Sequence, residues 1–155
     1  MRSYIHQEQI RVLYGDTDSG GVVYNANYLR YFEMGRTEFM RQRVCSYREI
    51  EQTGILLPVT ETWIRYKAPA YYDDLLTVET MVAELTKMSC TFAYRVMREE
   101  NNREQPKLLA KGYTVHAAVN HLGKLVHLPI EITSKIADYV NPDTSKQQIR
   151  AKNNH

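Results

Sequence analysis

The chain has 155 residues, with 20 Lys plus Arg against 18 Asp plus Glu, 43% apolar residues and 12 Gly plus Pro, the balance of one globular domain around a single core. The longest stretch free of Asp, Glu, Lys and Arg is the 12 residues 112–123, whereas a membrane-spanning helix needs about 20 mostly apolar residues, so no membrane insertion is expected. The opening MRSYIHQEQ has no apolar run of the kind a secretory leader carries, and a cytoplasmic location is the expectation.

Residues 1–140 carry 17 positive and 17 negative charges, and the net +2 comes from Lys146, Arg150 and Lys152 set against Asp143. A body this balanced lacks the basic footprint that nucleic-acid binding requires. Cys45 and Cys90 stand far apart with no CxxC, which reads as two reduced core thiols and excludes a zinc ribbon or a redox pair.

The first expected strand covers residues 9–14, with Ile10, Val12 and Tyr14 on one face by period two. A loop follows in which Gly15, Gly20 and Gly21, three of the seven glycines, fall within seven positions. Such a loop asks for backbone angles or close approaches that a Cβ would forbid. Residues 27–44 turn helical: Leu29, Phe32, Phe39 and Met40 recur near a spacing of 3.6 with Gly35 on the same face. Asn25 or Asn27 is the expected N-cap, and Gly35 suits a helix lying close on a sheet. A short helix over 47–52 should stop at Gly54.

After Gly54 the period becomes two, over 57–68, 76–86, 88–98, 107–120 and 124–128. Turn residues separate these runs: Tyr72-Asp73-Asp74, Asn101-Asn102 and Asn120-His121-Leu122-Gly123. Pro129 then opens a last helix with Ile132, Ile136 and Val140 at i, i+4 and i+8. The fold class is α+β, an antiparallel sheet of five to six strands wrapped around one long central helix. The domain is expected to end near residue 140, with 141–155 a flexible tail.

The segment from Tyr14 to Tyr28, YGDTDSGGVVYNANY, joins two carboxylates and three glycines to a helix start. Unpaired N–H groups and the positive dipole end of a helix can polarise a carbonyl and stabilise its oxyanion. A carboxylate one loop away, Asp18, can then attack that carbonyl or activate a water to do so. The plainer reading makes Asp18 a turn residue that bonds nearby amides. Neither GxxxxGK[ST] nor GxGxxG is present, which removes nucleotide hydrolysis, and the five histidines show no metal-ligand spacing.

The stretch GDTDSGGVVYNANYLRYFEMGRTEF resembles the signature of the 4-hydroxybenzoyl-CoA thioesterase family of hotdog-fold enzymes, in particular its acyl-CoA thioesterase branch associated with the Tol-Pal operon. A second stretch, from Ile64 to Leu76, is similar to the strand and turn that follow the helix in that family. The resemblance implies hydrolysis of a fatty or aromatic acyl-CoA with Asp18 as nucleophile or general base. It also implies backbone N–H donors from Val23 to Asn25 polarising the thioester, and a structural role for Asp16. Tyr24 and Asn25 then position the substrate, and Tyr24, Tyr28 and Tyr31 are candidates to line an acyl pocket. Asn25 departs from the His common at that position in the branch, so the backbone role is carried over and the side-chain role is not. Arg65, Lys67, Arg95 and Arg98 are candidates for the phosphates of coenzyme A. A thioester is already activated, so no cofactor or metal is expected. Partners implied are a homodimer or homotetramer, with an acyl carrier protein as an alternative carrier. The competing reading is a hotdog module that binds an acyl thioester or an acyl carrier protein without turnover, and a third is a scaffold subunit in membrane-lipid assembly.

Overall fold

The computed structural model describes residues 4–151. Its sheet has five strands, β1 (His6–Arg11), β2 (Val59–Tyr66), β3 (Leu75–Leu85), β4 (Ser89–Arg98) and β5 (Lys107–Ala117), in the order β1-β3-β4-β5-β2 and antiparallel throughout. The long helix α1 (Asn27–Arg43) lies across one face, followed by α2 (Tyr47–Gln52); α3 (Ile130–Ala137) and α4 (Lys146–Arg150) close the chain. The α+β class and the sheet wrapped on one helix match the reading of the sequence. Among the described residues no helix is long and apolar enough to cross a membrane.

The core lies between α1 and the sheet because both supply apolar side chains at the matching period. Phe32, Phe39 and Met40 come from the helix, and Leu76, Val78, Val82, Cys90, Phe92, Tyr94 and Val96 from the strands. Phe32 stacks on Tyr94 with ring centroids 4.2 Å apart. A side chain at Gly35 would collide with Thr80 Oγ1 on β3, so the glycine is what lets the helix approach. Both cysteines are free, and burial raises both thiol pKa values, that of Cys90 to about 12.

Several boundaries differ from the sequence reading. The first strand ends at Arg11, and Tyr14 sits exposed in a single 3-10 turn, Tyr14–Asp16, because the chain leaves the sheet to form the glycine loop. Leu29 is exposed; the first turn of α1 buries Tyr28 instead, and Tyr31, Phe32, Gly35, Phe39 and Met40 continue that face. Neither Asn25 nor Asn27 caps α1: the N-cap is Ala26, without a side-chain bond, and Asn27 Nδ2 donates instead to Asp16 O at 2.7 Å. Residues 124–128 form only the isolated bridge Val119↔Leu125, so the sheet has five strands.

The expected flexible tail is structured as far as Ala151; residues 152–155 lie outside the described residues. Asn141 is buried and its N–H donates to Val82 O at 2.8 Å. Ser145 and Gln148 then form a reciprocal capping box that starts α4. Ile149 packs on the outer face of the sheet against Met81, Ala83, Ala93 and Tyr113. Glu61 on β2 fastens this segment, accepting from Tyr113 at 2.7 Å and Lys146 at 3.2 Å, with Arg150 at 3.4 Å. Five residues with one apolar side chain are too short to show a period, and this hid the helix from the sequence reading.

Candidate active site

The glycine loop folds back on itself as a tight hairpin. Thr17 bridges Val23, Asp18 N–H donates to Val22 O at 2.8 Å, and Gly21 N–H donates to Asp18 O at 3.0 Å. Gly21 adopts φ +83°, a left-handed angle that favours glycine. Val22 then bridges Tyr71, and Val23 N–H donates to Ala70 O at 2.9 Å, which ties the loop to the turn before β3.

Asp18 is exposed and its two carboxylate oxygens differ. Oδ1 accepts from Gly20 N–H at 2.8 Å and from Val22 N–H at 3.4 Å. Oδ2 has no hydrogen-bond partner among the described residues. Oδ1 thus makes the turn bonds that the plainer reading expects, and these fix the carboxylate without engaging Oδ2.

Asp16 is the structural carboxylate. It is buried, and its Oδ2 accepts from Leu13 N–H at 2.9 Å and from Tyr31 O–H at 3.1 Å. Tyr31 is therefore no pocket wall: it is 3% exposed, spent on Asp16, and its phenol pKa is raised by burial and by that carboxylate. The Asp16 carbonyl accepts from Tyr24 N–H at 2.9 Å and from Asn27 Nδ2 at 2.7 Å. These bonds clamp the loop to the head of α1.

The same accounting narrows the oxyanion donors. Val23 N–H serves Ala70 and Tyr24 N–H serves Asp16, so neither is open to a substrate. Tyr24 O accepts from Asn27 N–H at 2.9 Å and Asn25 O from Tyr28 N–H at 3.3 Å. Asn25 N–H and Ala26 N–H are left without an acceptor among the described residues, at the positive end of a 17-residue helix.

A groove of about 410 Å³ joins these groups, lined by Asp18, Val22, Tyr24, Asn25, Tyr28, Tyr66 and Lys67 among others. Tyr28 supplies a buried wall, its phenol pKa raised by desolvation, while Tyr24 and Asn25 stand at the exposed rim. Tyr66, which the sequence reading did not single out, donates to Asn25 O at 2.9 Å and meets the Tyr28 ring edge-on at 5.2 Å. It thereby holds the residue whose N–H is open. Its signal in the sequence was its place in the second motif. Arg98, a candidate for the coenzyme A phosphates, is engaged within the chain, donating to Asp74 at 2.7 Å, Glu100 at 2.9 Å and Pro69 O at 3.2 Å. His116 is a satisfied core histidine, bonded to Thr114 Oγ1 at 2.8 Å and Leu57 O at 3.0 Å; burial pushes its imidazole pKa down to about 4.

Residues 12–136 match the model of the Thioesterase-like superfamily. The chain belongs to that superfamily. The acyl-CoA thioesterase YbgC of Haemophilus influenzae is 38% identical to this thioesterase over 126 residues, 79% of this chain and 88% of the relative. A hypothetical protein of Thermus thermophilus, TT1821, has a crystal structure that superposes with a TM-score of 0.80 at 30% identity, covering 89% of this chain and 99% of that one. A crystal structure of a 4-hydroxybenzoyl CoA thioesterase variant with 4-hydroxybenzoyl CoA shares the fold, with a TM-score of 0.77 at 20% identity, covering 85% of this chain and 98% of that one.

Proposed function

We propose that this thioesterase hydrolyses an acyl-CoA thioester to the free acid and coenzyme A, with Asp18 supplying the reactive oxygen and the head of α1 holding the carbonyl. The observation that carries the reading is the division within one carboxylate: Oδ1 is held by two backbone N–H groups, and Oδ2 is left to a groove that also contains the open amide of Asn25.

A thioester carbonyl bound there accepts from Asn25 N–H. As its carbon becomes tetrahedral, negative charge builds on the oxygen, where the amide and the helix dipole stabilise it. In one route Asp18 Oδ2 bonds the carbon, the sulfur leaves as thiolate and takes a proton from water, and a second water opens the resulting anhydride. In the other, Oδ2 takes a proton from the water that attacks. Single turnover in ¹⁸O water with enzyme in excess separates them. Opening the anhydride at the Asp18 carbonyl releases an unlabelled first product, whereas direct attack by water labels it at once. Neither route uses a metal, because the thioester is itself an activated acyl group.

The reading includes a homodimer or homotetramer and a cytoplasmic setting. The groove is open in one protomer, Asp18 and Asn25 are exposed, and the sheet ends in the free edges β1 and β2, all of which support a second copy closing the site. A panel of short, long and aromatic acyl-CoAs tests the activity. Release of free thiol from at least one substrate without added metal supports the proposal. Tight binding with no thiol released from any of them favours the non-catalytic module.

A further inference from the structure

The segment 141–151 lies beyond residues 12–136, the part of the chain matched to the superfamily, and it encloses a cavity of about 470 Å³ against the outer face of the sheet. The sequence of the segment explains the space. Ile149 is the residue of α4 that reaches the apolar cluster of Met81, Ala83, Ala93 and Tyr113, while Lys146 and Arg150 are drawn aside to Glu61 on β2. One isoleucine among polar residues cannot fill the surface that the segment spans. Met81, Ala93, Leu108 and Ile149 give the cavity apolar walls. It shares no lining residue with the groove that holds Asp18.

Lys111 on β5 also lines this cavity, and it is 3% exposed. In the strand register it stands between Arg95 on β4 and Arg65 on β2. Among the described residues no carboxylate forms an ion pair with it, Asp143 at the cavity wall included. Its hydrogen bond goes to Ala151 O at 2.8 Å, the carbonyl that follows α4. Burial lowers its ammonium pKa, and the neighbouring cations Lys67, Arg65 and Arg95 lower it further. An ammonium has three N–H donors, and a neutral carbonyl answers one of them without balancing the charge. A buried cation is costly unless it is paired, and an anion in the cavity supplies the pair.

We propose that this cavity binds a monocarboxylate with an apolar tail, its carboxylate on Lys111 and its chain against Met81, Leu108 and Ile149. One buried ammonium matches one negative charge. The apolar walls add the burial of a hydrocarbon chain, which an inorganic anion does not offer. The acid that the proposed hydrolysis releases is of this class; that link rests on the proposed function, and the site itself does not.

Trp63, the single tryptophan, packs on the cluster that Ile149 covers and so reports on the cavity. Titration of the full chain with octanoate should change the Trp63 fluorescence and saturate, with calorimetry giving the affinity. Octanol, of the same length but without charge, should bind about tenfold more weakly or worse, the weight of one hydrogen bond to a charged group. Lys111→Met keeps the apolar stem and removes the charge, and it should lose octanoate by the same factor. Ala93→Leu fills the cavity from the sheet and leaves Lys111 in place, so it should lose octanoate too. Failure of octanoate to bind the wild type overturns the proposal, and so does octanol that binds equally well. Unchanged octanoate affinity in a folded Lys111→Met protein puts the acid elsewhere, as in the groove of Asp18, and overturns the site. If Lys111→Met does not fold, Ala93→Leu and the comparison of octanoate with octanol in the wild type decide. None of these measurements reads thioester hydrolysis, so the proposed function and this site fail separately.

Discussion

Replacing Gly35 with Ala tests the packing of α1 on the sheet, because two effects of known sign oppose each other there. Alanine in a helix interior is favoured over glycine by about 1 kcal/mol. The added methyl, however, would collide with Thr80 Oγ1 and come within 3.1 Å of Val78 Cγ1, on a strand at the centre of the core. Overpacking a filled core costs about 1–3 kcal/mol, and Thr80 is fully buried, β-branched and unable to swing clear without placing its own methyl in the gap. The net expectation for Gly35→Ala is a loss of up to about 2 kcal/mol. Thr80 Oγ1 has no hydrogen-bond partner among the described residues, so Thr80→Ala opens the space without breaking a bond seen there. In that background Gly35→Ala should become neutral or stabilising, a coupling of about 2 kcal/mol between the two sites. Urea unfolding of the four proteins in the cycle, at constant slope, reads the effect. A Gly35→Ala protein at least as stable as the wild type would refute the account of why the glycine is there.

Two further outcomes are expected. Because burial holds the His116 pKa at about 4 in the folded protein against 6.5 ordinarily, the unfolded chain binds the extra proton between these values and stability rises with pH across that window. The contribution is complete above pH 6.5 and falls by up to about 3 kcal/mol as the pH drops toward 4; urea titrations of His116→Gln should lose that part of the slope, and an unchanged slope would contradict it. Ending the chain at Asn141 strips Ile149 from Met81, Ala83 and Tyr113 and leaves Glu61 without Lys146 and Arg150. Burying one such side chain contributes about 1.5–3 kcal/mol, so calorimetry should show a melting temperature lower by about 4–8 °C, and an unshifted transition would mean that α4 does not hold the sheet.

The strands and α1 were legible because their burial repeats at the period of the local structure. Cys90, Phe92, Tyr94 and Val96 face the helix, and Phe32, Phe39 and Met40 face them. The tail was not legible, since α4 depends on one isoleucine and a capping box, although Ser145-x-x-Gln148 was a readable start signal. At the site, residue types could be read and atoms could not. Asp18 stood out beside three glycines, but the separate duties of its oxygens follow from the hairpin that Gly21 permits. Tyr31 shared its spacing with Tyr28, yet it turns to Asp16 instead of the groove. The expected donors Val23 and Tyr24 are occupied by carbonyls from Ala70 and Asp16, partners that only the folded chain brings near. Likewise the row of Arg65, Arg95 and Lys111 exists only through strand register.

The central claim, that Asp18 supplies the oxygen, is tested most directly by kinetics of Asp18→Asn on a hydrolysed acyl-CoA. Asparagine keeps the size of the side chain and an oxygen to accept from Gly20 and Val22, so the loop should hold and KM should change little. Its amide is a poor nucleophile and a poor base, and losing a positioned general base typically costs about 10²- to 10⁴-fold. The account predicts a folded protein whose kcat falls by at least about 100-fold. A folded Asp18→Asn protein with kcat near that of the wild type would contradict it.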